Sequence, residues 1–253
     1  MSAISTGRLY GEITGSTATL AGLIDGTDLA RTVPTCPEWT MRQLVTHVGR
    51  AHRWATAIVA TRAAEPIPFQ EIPDGRPPAD QRGQMDWLRA GAAGLVATVQ
   101  GAGDEQVWTH HGPGPARYWA RRMAHETAVH RADGQIALGQ RPRIDPVTAA
   151  DGIDEWLGFL AEPGDGGDRP PLAGLQGKVL HLHVTDGEGE WMIRPGAAGI
   201  TVEPGHGKGD VAVRGPAGDL LLVLMRRIPP SDPSVEVLGD PALLDALLAA
   251  TVW

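Results

Sequence analysis

From Leu9 to Leu160 the apolar residues of this chain recur with helical spacing, in stretches cut apart by proline and glycine. Beyond Glu162 the pattern changes, and segments such as Val179 to Val184 alternate apolar and polar residues. Such a chain must bury helix against helix in its first part and sheet beneath helix in its second. The spacing predicts long helices over Leu9 to Ile24, Met41 to Ala63, Asp80 to Val99 and Tyr118 to Leu138, with Thr40 capping the second. Four such helices point to an antiparallel bundle, and a fifth helix is expected over Asp145 to Leu160.

The breaks between them carry their own signals. Pro34 and Pro37 forbid helix, so Val33 to Thr40 reads as a turn-rich linker. Pro66, Pro68, Pro73, Pro77 and Pro78 mark an irregular surface loop, and Gly101 to Pro115 reads as a connector. Pro163 to Pro171 is a linker by composition. After it, Val179 to Val184 and Glu190 to Arg194 form a predicted hairpin about the turn Asp186 to Gly189. Gly199 to Val202 and Asp210 to Arg214 read as two more strands. Helices over Ala217 to Arg226 and Pro241 to Ala250, with extended Ser234 to Leu238 between them, complete the chain. The expected class is α+β: a helical domain over residues 1–162 and a smaller α+β domain over residues 172–253.

Charge and composition remove several functions. A net charge of −8 argues against a phosphate-backbone partner, so no nucleic acid is expected. No run approaches the ~18 apolar residues of a membrane span, so no membrane partner is expected either. The N-terminal stretch lacks the basic start and apolar core of an export signal, and the single cysteine excludes a disulfide framework. The expected compartment is a reducing cytoplasm. Eight Trp against two Phe and two Tyr hint at an aromatic pocket.

The chemistry concentrates at Glu126 and His130. Four residues advance a helix about 40° beyond a full turn and roughly 6 Å along its axis, so both side chains leave one face. A carboxylate and an imidazole so placed can hold one side of a divalent metal, and His47 is the natural third ligand from a neighbouring helix. A His/Glu/His set leaves a fourth position open, as catalytic zinc sites require. The zincin pattern does not apply, because His125 and His130 are separated by five residues and stand about 140° apart around the helix. His125 therefore reads as an ordinary polar residue, and His52 points away from His47 for the same reason. His110 and His111 read as exposed loop residues; His181 and His183 share the polar side of a strand and read as structural. Cys36 lacks a cationic neighbour in sequence to lower its pKa, so it reads as a packing residue rather than a nucleophile.

Val33 to Thr40 followed by Leu44, Val45 and His47, then His125 to Arg131 with Asp133, resembles the mycothiol-dependent maleylpyruvate isomerase family. The resemblance continues through Gly215 to Leu222 and Val237 to Leu244. It implies a DinB-like metal-binding four-helix bundle with a C-terminal α+β domain of sterol-carrier-like fold. It implies zinc (Zn2+) bound by His47, Glu126 and His130, and mycothiol as the thiol cosubstrate. In the family's reaction the thiolate adds to the activated double bond of maleylpyruvate, the single bond so formed rotates, and elimination gives fumarylpyruvate. The resemblance also implies a second-domain arginine that reaches the substrate carboxylate. Arg227, just before Ile228 and Pro229, fits best, with Arg226 as the alternate. The expected activity is isomerisation or S-transfer of mycothiol to a small electrophile, by a monomer or dimer whose partners are that electrophile and a low-molecular-weight thiol. A metal-containing lipid- or small-molecule-binding protein and a zinc-dependent hydrolase are the alternatives.

Overall fold

Ser5, Thr40 and Asp80 each turn a side-chain oxygen back onto a first-turn amide, and each starts a helix. They open α1 (Thr6–Leu23), α2 (Met41–Thr61) and α3 (Gln81–Ala102). At α2 the cap is reciprocal: Thr40 Oγ1 accepts from the Gln43 amide, and Gln43 Oε1 accepts from the Thr40 amide at 2.8 Å. The fourth helix, α4 (Arg117–Ala137), begins without a side-chain cap, straight from a hairpin. The computed structural model describes residues 4–161, 172–197 and 199–251. The chain divides into two compact units between Pro142 and Arg143.

In the N-terminal unit α1 packs on α4 and α3, and α2 packs on α3 and α4. Consecutive α1 and α2 thus sit across the bundle from each other. Two apolar clusters fill it. Leu20, Ile24, Leu44, Val48 and Leu88 form one; Ile13, Ile58, Leu95, Trp119 and Met123 form the other. Gly49 lets α2 meet α3, because a Cβ there would lie 2.0 Å from the Trp87 ring.

Two stretches expected to be irregular are paired. β1 (Thr32–Val33) and β2 (Cys36–Thr40) form a short antiparallel hairpin, and β3 (Gln106–Thr109) pairs with β4 (Gly112–Pro115). Prolines suppress helix but are tolerated on the edges of two-stranded ribbons, where a missing donor faces solvent. The second hairpin seats Trp108 against Trp54 and Trp119, with ring centroids 5.6 and 5.8 Å apart. The aromatic grouping suggested by the tryptophan content is here part of the core.

The C-terminal unit begins with α5 (Pro146–Ala161), which packs on α6 (Ala217–Leu224) and on β7 (Gly199–Pro204). Sequence pattern had grouped this helix with the bundle; helical period identifies a buried face but not its partner. The proline- and glycine-rich linker expected over residues 163–171 lies outside the described residues. A five-stranded sheet follows, ordered β7, β6 (Glu190–Gly196), β5 (Leu180–Val184), β8 (Val211–Gly215) and β9 (Glu236–Gly239). β5 and β8 are parallel, and every other pairing is antiparallel. α7 (Pro241–Ala250), capped by Asp240, completes the described chain. Among the described residues no helix is long and apolar enough to cross a membrane.

His52 is fully buried between the two apolar clusters. Its Nε2 lies 2.8 Å from Thr127 Oγ1, whose own hydrogen goes to the Met123 carbonyl at 2.6 Å. Nε2 therefore carries the proton, and Nδ1 is left buried without a partner. Burial, reinforced by the Arg53 charge, pushes the His52 pKa down to about 4. An unfolded histidine takes up its proton near pH 6.5, so the unfolded chain binds more protons than the folded one between pH 6.5 and 4. Stability from this residue is complete above that window and is lost as pH falls through it, by up to about 3 kcal/mol. Urea unfolding at pH 7 and pH 4.5 should show His52→Gln losing less stability on acidification than the wild type; equal losses would contradict the assignment.

Candidate metal centre

α2 and α4 bring His47, Glu126 and His130 together. His47 Nε2 lies 2.8 Å from Glu126 Oε1, and His130 Nε2 lies 3.2 Å from the same oxygen. The two rings meet edge to face with centroids 4.7 Å apart. One donor atom from each of the three side chains fits within 4.8 Å of the others, the span of one coordination sphere. The expected trio is thus assembled across two elements distant in sequence.

Around it stand residues that spacing did not nominate. Asp133, one turn beyond His130, is fully buried and accepts from His130 Nδ1 at 2.8 Å. Its other oxygen, Oδ1, accepts from Thr35 Oγ1 at 2.6 Å, while Cys36 Sγ lies 3.7 Å from Oδ2, the oxygen that His130 already engages. The Asp133 bond claims Nδ1 and leaves Nε2 directed at the centre, the carboxylate–histidine arrangement that sets ligand tautomer and orientation. Cys36 has its sulfur against this carboxylate. Cys36, His130 and Asp133 also fall within ligand distance of one another, but they would need Nδ1, which Asp133 already engages. The signal that could have found Asp133 was its i, i+3 relation to His130 on a helix whose neighbouring positions are apolar.

Arg122 approaches Glu126 from one helical turn earlier, Nη2 to Oε2 at 3.2 Å. It holds one carboxylate oxygen and leaves Oε1 facing the histidines. Trp39, delivered by β2, lies over both rings, 4.8 Å from His47 and 5.7 Å from His130 by centroid. The stretch expected as a linker therefore supplies a roof and a supporting hydroxyl. Exposure is uneven: His47 is 36 % exposed, whereas His130 is 9 % exposed.

The electrostatics suit a cation. Burial alone would raise the Glu126 pKa, but hydrogen bonds from His130 and His47 and the nearby Arg122 charge outweigh it and hold the carboxyl well below its ordinary range. Burial would likewise lower the His130 pKa, but Asp133 and Glu126 overcome it and raise the value to about 9. Positive charge is thus favoured at the point where the two imidazoles and the carboxylate meet. A divalent ion satisfies that demand as well as a proton does, and the residues present fit one.

The other nominated residues fall elsewhere. His125 is buried, contrary to its reading as an ordinary polar position, and takes no part in the trio. His110 and His111 are exposed at the β3–β4 turn, with His110 Nδ1 2.7 Å from the Tyr118 hydroxyl. In the C-terminal unit Arg227 follows α6, half-buried, and donates to the Met225 carbonyl at 2.7 Å. Arg226 is exposed, adopts a left-handed backbone with φ 59°, and reaches the Thr251 carbonyl at 3.3 Å.

Residues 10–134 match the family model of the mycothiol maleylpyruvate isomerase N-terminal domain, and residues 148–246 match that of the MDMPI C-terminal domain. Among solved structures the chain is similar to a mycothiol-dependent maleylpyruvate isomerase, with a TM-score of 0.57 and 16 % identity over 94 % of this chain and 95 % of that one. A histidine-to-alanine mutant of that enzyme gives a TM-score of 0.57 and 15 % identity over the same shares. At these identities the likeness establishes the fold. No curated protein matches the chain.

If Asp133 orients His130, then Asp133→Asn should weaken Zn2+ binding at this centre by about 10- to 100-fold. Competition with a chromophoric chelator measures this; an unchanged affinity would remove Asp133 from the supporting role.

Proposed function

The chain belongs to the mycothiol maleylpyruvate isomerase family, and on that premise we propose that it is a zinc-dependent, mycothiol-dependent isomerase of a small, carboxylate-bearing electrophile. The observation that carries this reading is the convergence of His47 Nε2 and His130 Nε2 on one oxygen of Glu126. Two imidazoles and one carboxylate are a ligand set for a catalytic zinc, with a coordination position left for the thiol. A zinc ion held there would supply the charge that keeps the thiol of the cosubstrate ionised at neutral pH.

The protein's own residues then have separate tasks. Asp133 and Thr35 hold His130 in one tautomer and one orientation. Arg122 fixes the rotation of Glu126, so that no ligand must reorganise when the thiol arrives. Trp39 covers the histidine rings and limits water on that side. Arg227 is proposed to bind the carboxylate of the electrophile, which a planar guanidinium can grip with two parallel hydrogen bonds. Arg226 is the alternate for this role.

Metal analysis and thiol-dependent kinetics test these assignments. Glu126→Ala or His130→Ala should lower the zinc retained by the bundle and abolish mycothiol-dependent conversion of maleylpyruvate to fumarylpyruvate; undiminished zinc in both variants would refute the site. Arg227→Ala should leave the metal in place and reduce kcat/KM by about 10- to 100-fold, the loss expected for one charged hydrogen-bonding partner. Most of that loss should fall on KM, and full activity would remove the role given to Arg227.

A further inference from the structure

His181 and His183 alternate along β5 and so share one face of the sheet, as their reading as a structural polar pair required. The register adds a third group: Glu190 on β6 stands directly opposite His183. A fourth comes from the loop after β7. Gly205, at φ 135°, turns the chain there, and its amide donates to the Glu190 carbonyl at 3.1 Å. That bond places His206 over the same side chain.

Three imidazoles consequently point at one oxygen. Glu190 Oε1 contacts His183 Nδ1, lies 2.9 Å from His206 Nδ1, and lies 3.5 Å from His181 Nε2. A carboxylate oxygen has two lone pairs to offer, so it cannot serve three N–H donors well. His181 is the one left over: it is 5 % exposed, and its Nε2 is buried without a hydrogen-bond partner. A buried, unsatisfied imidazole nitrogen is costly unless something accepts or replaces its proton. One donor atom from each of the four residues fits within 4.8 Å of the others. Ligand atoms about a tetrahedral zinc stand roughly 3.3 Å apart, given bonds of about 2.0–2.1 Å, so small side-chain shifts suffice. A groove of about 370 Å³, lined by His183, Glu188, Glu190 and Gly205 among others, opens the cluster to solvent.

We propose that His181, His183, Glu190 and His206 form a second divalent-metal site, of zinc type and distinct from the bundle centre. With four protein donors its coordination sphere is closed, which makes it a structural rather than a catalytic site. Its ion ties the loop carrying His206 to β5 and β6.

Metal-free full-length protein titrated with Zn2+ tests this. The wild type should take up about two equivalents, and His183→Ala and His206→Ala should each take up about one. Glu126→Ala should also keep about one equivalent. In that variant Zn2+ should raise the Tm and Co2+ should produce the visible absorption of a four-coordinate site, both lost on adding His206→Ala. His206 is 78 % exposed, so this substitution disturbs the fold least and decides the matter if His183→Ala does not fold. A single zinc that is lost with His183→Ala but kept with Glu126→Ala would support this site and refute the zinc reading of the bundle. A single zinc that is lost with Glu126→Ala but kept with both histidine variants would overturn the second site. No zinc uptake at all would overturn both.

Discussion

Asp133 is sealed from water, and an ionised carboxylate in that position is tolerable only if strong donors surround it. His130 and Thr35 are among those donors, one from the same helix and one from a hairpin distant in the sequence. The bond to His130 sets which imidazole nitrogen faces the cavity, and the bond to Thr35 pins the hairpin that brings Trp39 over the rings. The orientation of His130 is thus a consequence of satisfying one buried carboxylate. Removing that charge would release the orientation of His130, and the first element freed from α4 would be the hairpin.

The bundle places this polar group where its two apolar clusters meet. Along α2, Leu44, Val45 and Val48 belong to one cluster, and Ala51, Ala55 and Ile58 belong to the other. His47 and His52 occupy the same stretch but leave it in different directions: one joins Glu126 and His130, and the other bonds Thr127 in the core. Polar residues at such a level cost less than they would inside either cluster, because each finds a partner on the facing helix. Fold and site therefore depend on the same two helices, α2 and α4.

The long helices were legible because sixteen or more residues of periodic burial, with a cap such as Thr40, leave little ambiguity. The His47, Glu126 and His130 grouping was legible because i, i+4 spacing puts Glu126 and His130 on one helix face, and in a bundle a facing helix can bring His47 to it. What escaped was non-local or masked by composition. Gly112 to Pro115 carries almost no strand signal, yet it pairs because Gln106 to Thr109 offers a complementary edge. The partner of α5 was not legible, since period marks a buried face without naming what covers it. His181 and His183 were placed correctly on one strand face, but no local pattern foretells that Glu190 and the loop carrying His206 close over them.

The unequal exposure of the two bundle histidines gives the centre a direction. His130 is clamped from behind by Asp133, while the edge of His47 opens outward. A group reaching this centre would therefore meet the His47 edge before it met His130. The outer imidazole forms the rim of such a cup, and the inner one, held by Asp133, forms its floor.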